Sequence, residues 1–205
     1  MMKVKICGLT RSEDIDYVNE LLPNYIGFVF VKSSKRYISP EGAKKLRLHL
    51  SDKIKVVGVF VNEPIKNIMS IINNNIIDVI QLHGEEDNTY INEIKKHTNK
   101  LIIKAFRIDT TSDIVIANSS AADIILLDNG NGGTGETFDW SLLSYVNRDY
   151  ILAGGLSSHN VGEVLNFRKL YCVDTSSGVE VEGIKNYEKI KEFIYIVKCA
   201  DKIYG

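Results

Sequence analysis

Short apolar, β-branched stretches alternate along the chain with longer segments whose apolar residues recur at helical spacing, the rhythm of repeated βα units. The first stretch, Lys3–Cys7, interleaves Val4 and Ile6 with Lys3 and Lys5, a period of two that predicts a strand. Further strands are predicted at Tyr25–Phe30, Lys55–Val61, Val79–Leu82, Leu101–Phe106, Ile124–Leu127, Tyr150–Ala153 and Leu170–Val173. They are near-continuously apolar, as strands of a parallel sheet covered on both faces must be. Helix-start signals fall between them. Thr10-Arg11-Ser12-Glu13 spells a capping box ahead of a helix from about Ser12 to Leu22. Ser39-Pro40-Glu41 offers an N-cap and a first-turn proline, and Asn62-Glu63-Pro64 a cap, an acid and an early proline.

Eight such units predict an α/β fold, a single (β/α)8 TIM barrel over residues 1–205. An open doubly wound sheet is the competing arrangement, which strand counting alone does not exclude. No Pro/Gly/Ser linker or low-complexity tract marks a domain boundary.

Composition narrows the partners. With 25 basic and 26 acidic residues the formal charge is −1, and no basic stripe offers itself to a phosphate backbone, so nucleic acid is not expected. Cys7, Cys172 and Cys199 are odd in number and far apart, without a Cys-x-x-Cys pair or a His/Cys cluster, so neither a metal site nor a disulfide framework is expected. The apolar stretch near the amino terminus is too short for a signal-peptide core. No apolar run approaches the roughly 18 residues of a membrane span. The expectation is a cytoplasmic enzyme or binding domain.

In a barrel the informative residues end the strands. Ile151–Ala153 runs into Gly154-Gly155 with a helix expected from about Ser158, and Val173 runs into Asp174 through Ser177-Gly178. Glycines and a hydroxyl after the last two strands suit a phosphate, held by backbone N–H groups and a helix amino terminus, although each stretch alone could be a tight turn. Asp128 ends Ile124–Leu127, where partial burial would fit it as a general acid; a turn-forming aspartate is the alternative. The loop after it contains Gly130-x-Gly132-x-x-Gly135, the literal dinucleotide spelling, but about 20 residues further on stands Gly155 rather than the required acid. Cys7 ends the first strand and is either a base or a small buried hydrophobe. Acting as a base requires a lowered proton affinity, through nearby positive charge, for which Lys5 and Arg36 are the candidates, or through a helix terminus. Arg36 could hold a ligand carboxylate in bidentate fashion or be a solvated loop charge. Gln81, near the end of the fourth strand, and His83, just after it, read as rim hydrogen-bonders. Cys172 and Cys199 read as structural, and Phe138 and Trp140 as anchors of the sixth helix.

Lys5-Ile6-Cys7-Gly8-Leu9-Thr10, Gly27–Phe30, Ser34-Lys35-Arg36-Tyr37-Ile38-Ser39-Pro40, Val57–Asn62, Gln81-Leu82-His83-Gly84, Leu126-Leu127-Asp128, Gly133-Thr134-Gly135 with Phe138-Asp139-Trp140, and Asp174–Glu180 together resemble phosphoribosylanthranilate isomerases, in order and over nearly the whole chain. The resemblance implies a single (β/α)8 barrel and an Amadori rearrangement in tryptophan biosynthesis, with a phosphosugar substrate and no cofactor. It implies Asp128 as general acid and Cys7 as general base. It also implies Arg36 on the anthranilate carboxylate, Gly154, Gly155, Ser177 and Gly178 on the phosphate, and Gln81, His83 and Asp174 as further rim contacts. A monomer or homodimer is expected. One stretch departs from the family pattern: Glu182-Gly183-Ile184-Lys185-Asn186 lacks the proline and has Asn186 in place of the acid. Another phosphosugar barrel, such as an epimerase, and a non-catalytic phosphosugar-binding barrel are the competing readings.

Overall fold

The computed structural model describes residues 2–129 and 137–204. Eight parallel strands, β1 (Lys3–Cys7), β2 (Tyr25–Val29), β3 (Lys55–Phe60), β4 (Val79–Leu82), β5 (Ile102–Arg107), β6 (Ile124–Asp128), β7 (Tyr150–Leu152) and β8 (Leu170–Thr175), pair in chain order. The ring closes where β1 meets β8, with Lys3 opposite Cys172 and Lys5 opposite Asp174, which excludes the open sheet. The intervening helices are α1 (Ser12–Leu21), α2 (Pro40–Arg47), α3 (Ile65–Asn73), α4 (Asn88–His97), α5 (Thr111–Asn118) and α6 (Val161–Val164), and α7 (Tyr187–Tyr204) follows β8.

Successive strand side chains point to opposite faces, and here the two parities form two separate cores. Val4, Ile6, Ile80, Leu82, Ile125, Leu127 and Val173 pack outward against Ile15, Val18, Ile68, Ile94, Ile190 and Phe193 of the helices. Val57, Val79, Ile103, Ala105, Ile124, Leu126, Ile151 and Cys172 form the inner core. Lys3, Lys5 and Cys7 therefore share the inner parity, as do Gln81, Asp128 and Asp174. An extra residue in β8 shifts the β7 register from Tyr150–Leu170 to Ile151–Cys172 and leaves Tyr171 beneath the inner core.

Several local starts differ from the sequence expectation. The acid that closes α1 is Asp14, not Glu13: its carboxylate accepts from the N–H of Thr10 and of Arg11 at 3.0 and 3.1 Å. Ser39 caps α2 as expected, accepting from the Gly42 N–H at 3.1 Å. Asn62 does not cap α3, which begins after Pro64 without a side-chain cap. Asn62 instead takes φ of 50° and joins two loops, its Oδ1 accepting from the Glu85 N–H and its own N–H donating to Glu86. The helix expected from Ser158 is delayed to a single turn at Val161, because Asn160 folds back, accepting from the Ser157 N–H and donating to the Gly155 carbonyl. After β6 the chain forms a 3-10 turn, Trp140–Tyr145, in place of a full sixth helix, and Phe138 and Trp140 pack it on the outer core.

The departing stretch is a hairpin, β9 (Glu180–Val181) and β10 (Ile184–Lys185), turned by Glu182 and Gly183, both with positive φ. Asn186 Oδ1 then accepts from the Lys189 N–H at 3.1 Å, capping α7 as an aspartate would. Gly130, Gly132, Gly133, Thr134 and Gly135 lie outside the described residues.

Candidate active site

Because every barrel strand is parallel, Cys7 at the end of β1 and Asp128 at the end of β6 stand at the same mouth. Inner parity and a carboxyl-terminal position together select the site. Below the mouth Lys5, fully buried, donates to Asp174 Oδ2 at 2.7 Å. Burial alone would weaken the Lys5 ammonium, but Asp174 and Cys7 reverse this and hold its pKa above the ordinary value. Burial, with Asp128 nearby, pushes the Asp174 carboxyl up against the pull of Lys5.

Cys7 is a free, partly buried thiol. Burial raises its pKa and Asp174 adds to the rise, while Lys5 and then Lys185 oppose it. The sequence asked whether Lys5 or Arg36 would bring positive charge to this sulfur. Lys5 does, its ammonium favouring the thiolate, and Arg36 also interacts with it electrostatically.

Across the mouth, His83 Nε2 lies 3.6 Å from Asp128 Oδ2 and His83 Nδ1 lies 3.0 Å from Gln81 Nε2. Asp174 interacts with both halves, with Lys5 on one side and with Asp128 and His83 on the other. Asp174 Oδ1 and Gln81 Oε1 are buried, and among the described residues neither meets a hydrogen-bond donor. Two orphaned acceptors under one mouth are unusual, since buried polar atoms are almost always satisfied.

The loops after β7 and β8 touch. Thr175 donates its hydroxyl to the Leu156 carbonyl at 2.6 Å. A Cβ on Gly178 would sit 2.0 Å from that carbonyl oxygen, so only glycine lets the two turns meet. Among the described residues none accepts from the N–H of Gly154 or Gly155. Ser177 and Gly178 open a 3-10 turn beside them. The four residues expected at a phosphate are thus neighbours, although α6, with one turn, contributes little dipole.

Arg36 is held rather than solvated. Its Nε and Nη2 donate to the two carboxylate oxygens of Glu180, each at 2.7 Å. Lys185, almost completely buried, donates to Glu180 at 2.5 Å and to the Ser176 carbonyl at 2.8 Å. Arg107, a rim residue by position, turns to solvent and pairs with Asp109. Sequence reasoning left Glu180 and Lys185 without roles. Both lie beyond β8 in a hairpin whose fold-back onto Arg36 has no signature in sequence spacing. Among the described residues no cluster of three or more His, Cys, Asp or Glu side chains could hold a metal ion.

A closed parallel barrel with a thiol and a carboxylate at one mouth, orphaned acceptors between them and paired glycine turns after the last strands defines a (β/α)8 enzyme for acid–base work on an anionic substrate. The family model for N-(5'phosphoribosyl)anthranilate (PRA) isomerase matches residues 4–195. An N-(5'-phosphoribosyl)anthranilate isomerase of Thermoanaerobacter sp. (strain X514) is 46% identical over 204 residues, covering 97% of this chain and 98% of its own. A solved structure of phosphoribosyl anthranilate isomerase in complex with reduced 1-(o-carboxyphenylamino)-1-deoxyribulose 5-phosphate superposes with a TM-score of 0.86 at 37% identity, over 97% of this chain and 100% of that one. A structure of mutually generated monomers of the dimeric enzyme from Thermotoga maritima gives 0.85 at 37% identity, over 97% and 100%. This chain belongs to the N-(5'-phosphoribosyl)anthranilate isomerase family.

Proposed function

We propose that the chain, as one catalytic barrel over residues 1–205, isomerises N-(5-phosphoribosyl)anthranilate to 1-(o-carboxyphenylamino)-1-deoxyribulose 5-phosphate in tryptophan biosynthesis. The observation that carries the reading is Asp174, a single inner-face residue in electrostatic contact with the Lys5–Cys7 half and the Asp128–His83 half of one mouth. A ribose placed over it has an acid on one side and a base on the other.

Asp128 gives a proton to the ribose ring oxygen as the anilino nitrogen forms the double bond to C1, opening the ring to a Schiff base. Cys7, as thiolate, takes the proton from C2, and the electron pair moves to the nitrogen. The resulting enolamine tautomerises to the ketone. His83 steadies the Asp128 carboxyl, and Lys5, with Lys185, favours the Cys7 thiolate against the burial that raises the thiol pKa. The orphaned acceptors Asp174 Oδ1 and Gln81 Oε1 suit ribose hydroxyls. The N–H groups of Gly154 and Gly155, which no described residue accepts from, suit the phosphate together with Ser177 and Gly178. Arg36 suits the carboxylate of the anthranilate ring. Fixing both anionic ends orients the sugar between acid and base, an effect worth several kcal/mol of barrier. The enzyme acts in the cytoplasm as a monomer or homodimer.

The test is direct: purified chain with N-(5-phosphoribosyl)anthranilate, the ribose C1 and C2 protons followed by NMR. Conversion without added metal or cofactor is expected. Folded protein that binds the substrate but leaves it unchanged would point to a phosphosugar-binding barrel instead.

A further inference from the structure

Arg36 is gripped on one edge only. Glu180 occupies Nε and one proton of Nη2, and no described residue accepts from Nη1. A guanidinium presents two forks, Nε with Nη2 and Nη1 with Nη2, each matched to a carboxylate. The first fork is filled from within the chain. The second is the one left for a ligand.

The residue filling the first fork is itself fixed. Lys185 bridges Glu180 to Ser176, through the carbonyl at 2.8 Å and the hydroxyl at 3.2 Å. Ser176 donates its hydroxyl to the Cys7 carbonyl at 2.9 Å. The side-chain stem of Arg36 lies on the turn after Cys7, where a Cβ on Gly8 would meet Arg36 Cδ at 2.4 Å. The path from Arg36 through Glu180, Lys185 and Ser176 thus ends at the residue bearing the thiol. Burial alone would raise the Glu180 carboxyl, but Arg36 and Lys185 bring it below its ordinary range, so it stays charged near neutral pH.

Charge sharpens the point. A lone Arg36–Glu180 pair would be neutral and would offer a second carboxylate no net attraction. Lys185 leaves the trio at +1. If Glu180 acted only through charge, removing it would tighten binding of an anion. If it aims the fork, removing it weakens binding.

We infer that Glu180 is a positioning residue: braced by Lys185, it turns the Nη1/Nη2 edge of Arg36 toward the aryl carboxylate and so sets the enzyme's preference for carboxylated anilines. This rests on the reading that Arg36 binds that carboxylate. It adds a residue whose contribution has the opposite sign to its charge.

The experiment measures Kd by calorimetry on the full chain with two ligands, reduced 1-(o-carboxyphenylamino)-1-deoxyribulose 5-phosphate and its phenylamino counterpart lacking the carboxyl. Glu180→Gln keeps the shape but presents an amide N–H₂ to one guanidinium N–H. Weakening of the carboxylated ligand by about tenfold or more, with the other changed less than about twofold, is expected. Unchanged or tighter binding of the carboxylated ligand, or equal weakening of both, overturns the proposal. Should Glu180→Gln fail to fold, Glu180→Asp retains the charge and withdraws the carboxylate by one methylene. An intermediate loss confined to the carboxylated ligand supports the proposal, and wild-type discrimination overturns it. Arg36→Gln separates the two levels. If it leaves discrimination intact, the assignment of Arg36 itself fails. If it abolishes discrimination while the Glu180 variants do not, only the role of Glu180 fails.

Discussion

Lys3 and Lys5 are two residues apart on one strand, both on its inner face, yet they serve opposite ends of the barrel. Lys3, toward the amino-terminal end, donates to the Tyr171 hydroxyl at 2.5 Å and lies 4.3 Å from the centre of that ring, and Tyr171 in turn shares a hydrogen bond with Tyr25 at 2.8 Å. Lys5, nearer the carboxyl-terminal mouth, meets a carboxylate and a thiol. What separates them is the register against β8: Lys3 lies opposite Cys172 and Lys5 opposite Asp174. Two phenols and a lysine close one end of the barrel. An ammonium between carboxylate and sulfur tunes chemistry at the other. The same side chain becomes a plug or a charge source according to what faces it.

Removing the reacting groups themselves should have the largest effect and leave both lysines in place. Cys7→Ala or Asp128→Asn is expected to lower kcat by at least about 10², with substrate still bound, as read by single-turnover kinetics and calorimetry. Near-wild-type turnover in either variant removes that residue from its role.

Next in size is the Lys5 side of the comparison. The thiolate is the reactive form, and burial holds the Cys7 thiol above its ordinary pKa of about 8.5, so kcat/KM should still be climbing as pH rises past that value. Lys5 lowers the thiol pKa. Its removal in Lys5→Met raises it further and moves this limb to higher pH, and a shift of one unit makes kcat/KM at neutral pH about tenfold smaller. A limb that stays where it was in a folded variant would show that the ammonium does not govern the sulfur.

The smallest effect belongs to the other lysine. Lys3→Met keeps the aliphatic stem and loses one hydrogen bond to a phenol, so urea denaturation should register a loss of about 1 kcal/mol. Its pH–rate profile should superpose on the parent's. A displaced profile would mean that the two ends of the barrel are coupled and the contrast drawn between them is false.

Much of this was legible in the residues. All eight strands were placed by apolar runs, with ends shifted by a residue or two, because a strand buried on both faces has little freedom of composition. Asp128 and Cys7 stood out as polar residues at the ends of apolar strands. Parity could have added Lys5: in a stretch whose Val4 and Ile6 face the helices, Lys5 must share the inner face with Cys7. The helix expected from Ser158 failed because Asn160 closes the preceding loop on itself, a choice between two local hydrogen-bond patterns that propensity does not resolve.

The amino-acid sequence by itself determined the eight βα units, since strands buried on both faces must be almost wholly apolar, and it determined which residues end the strands; closure of the ring was decided only by the pairing of β1 with β8. Tertiary structure alone decided the partners: Asp174 for Lys5, Glu180 and Lys185 for Arg36, Leu156 for Gly178. Those pairs join residues distant in the chain, and their contacts depend on strand register and on how a hairpin folds back, neither of which any local run of residues encodes.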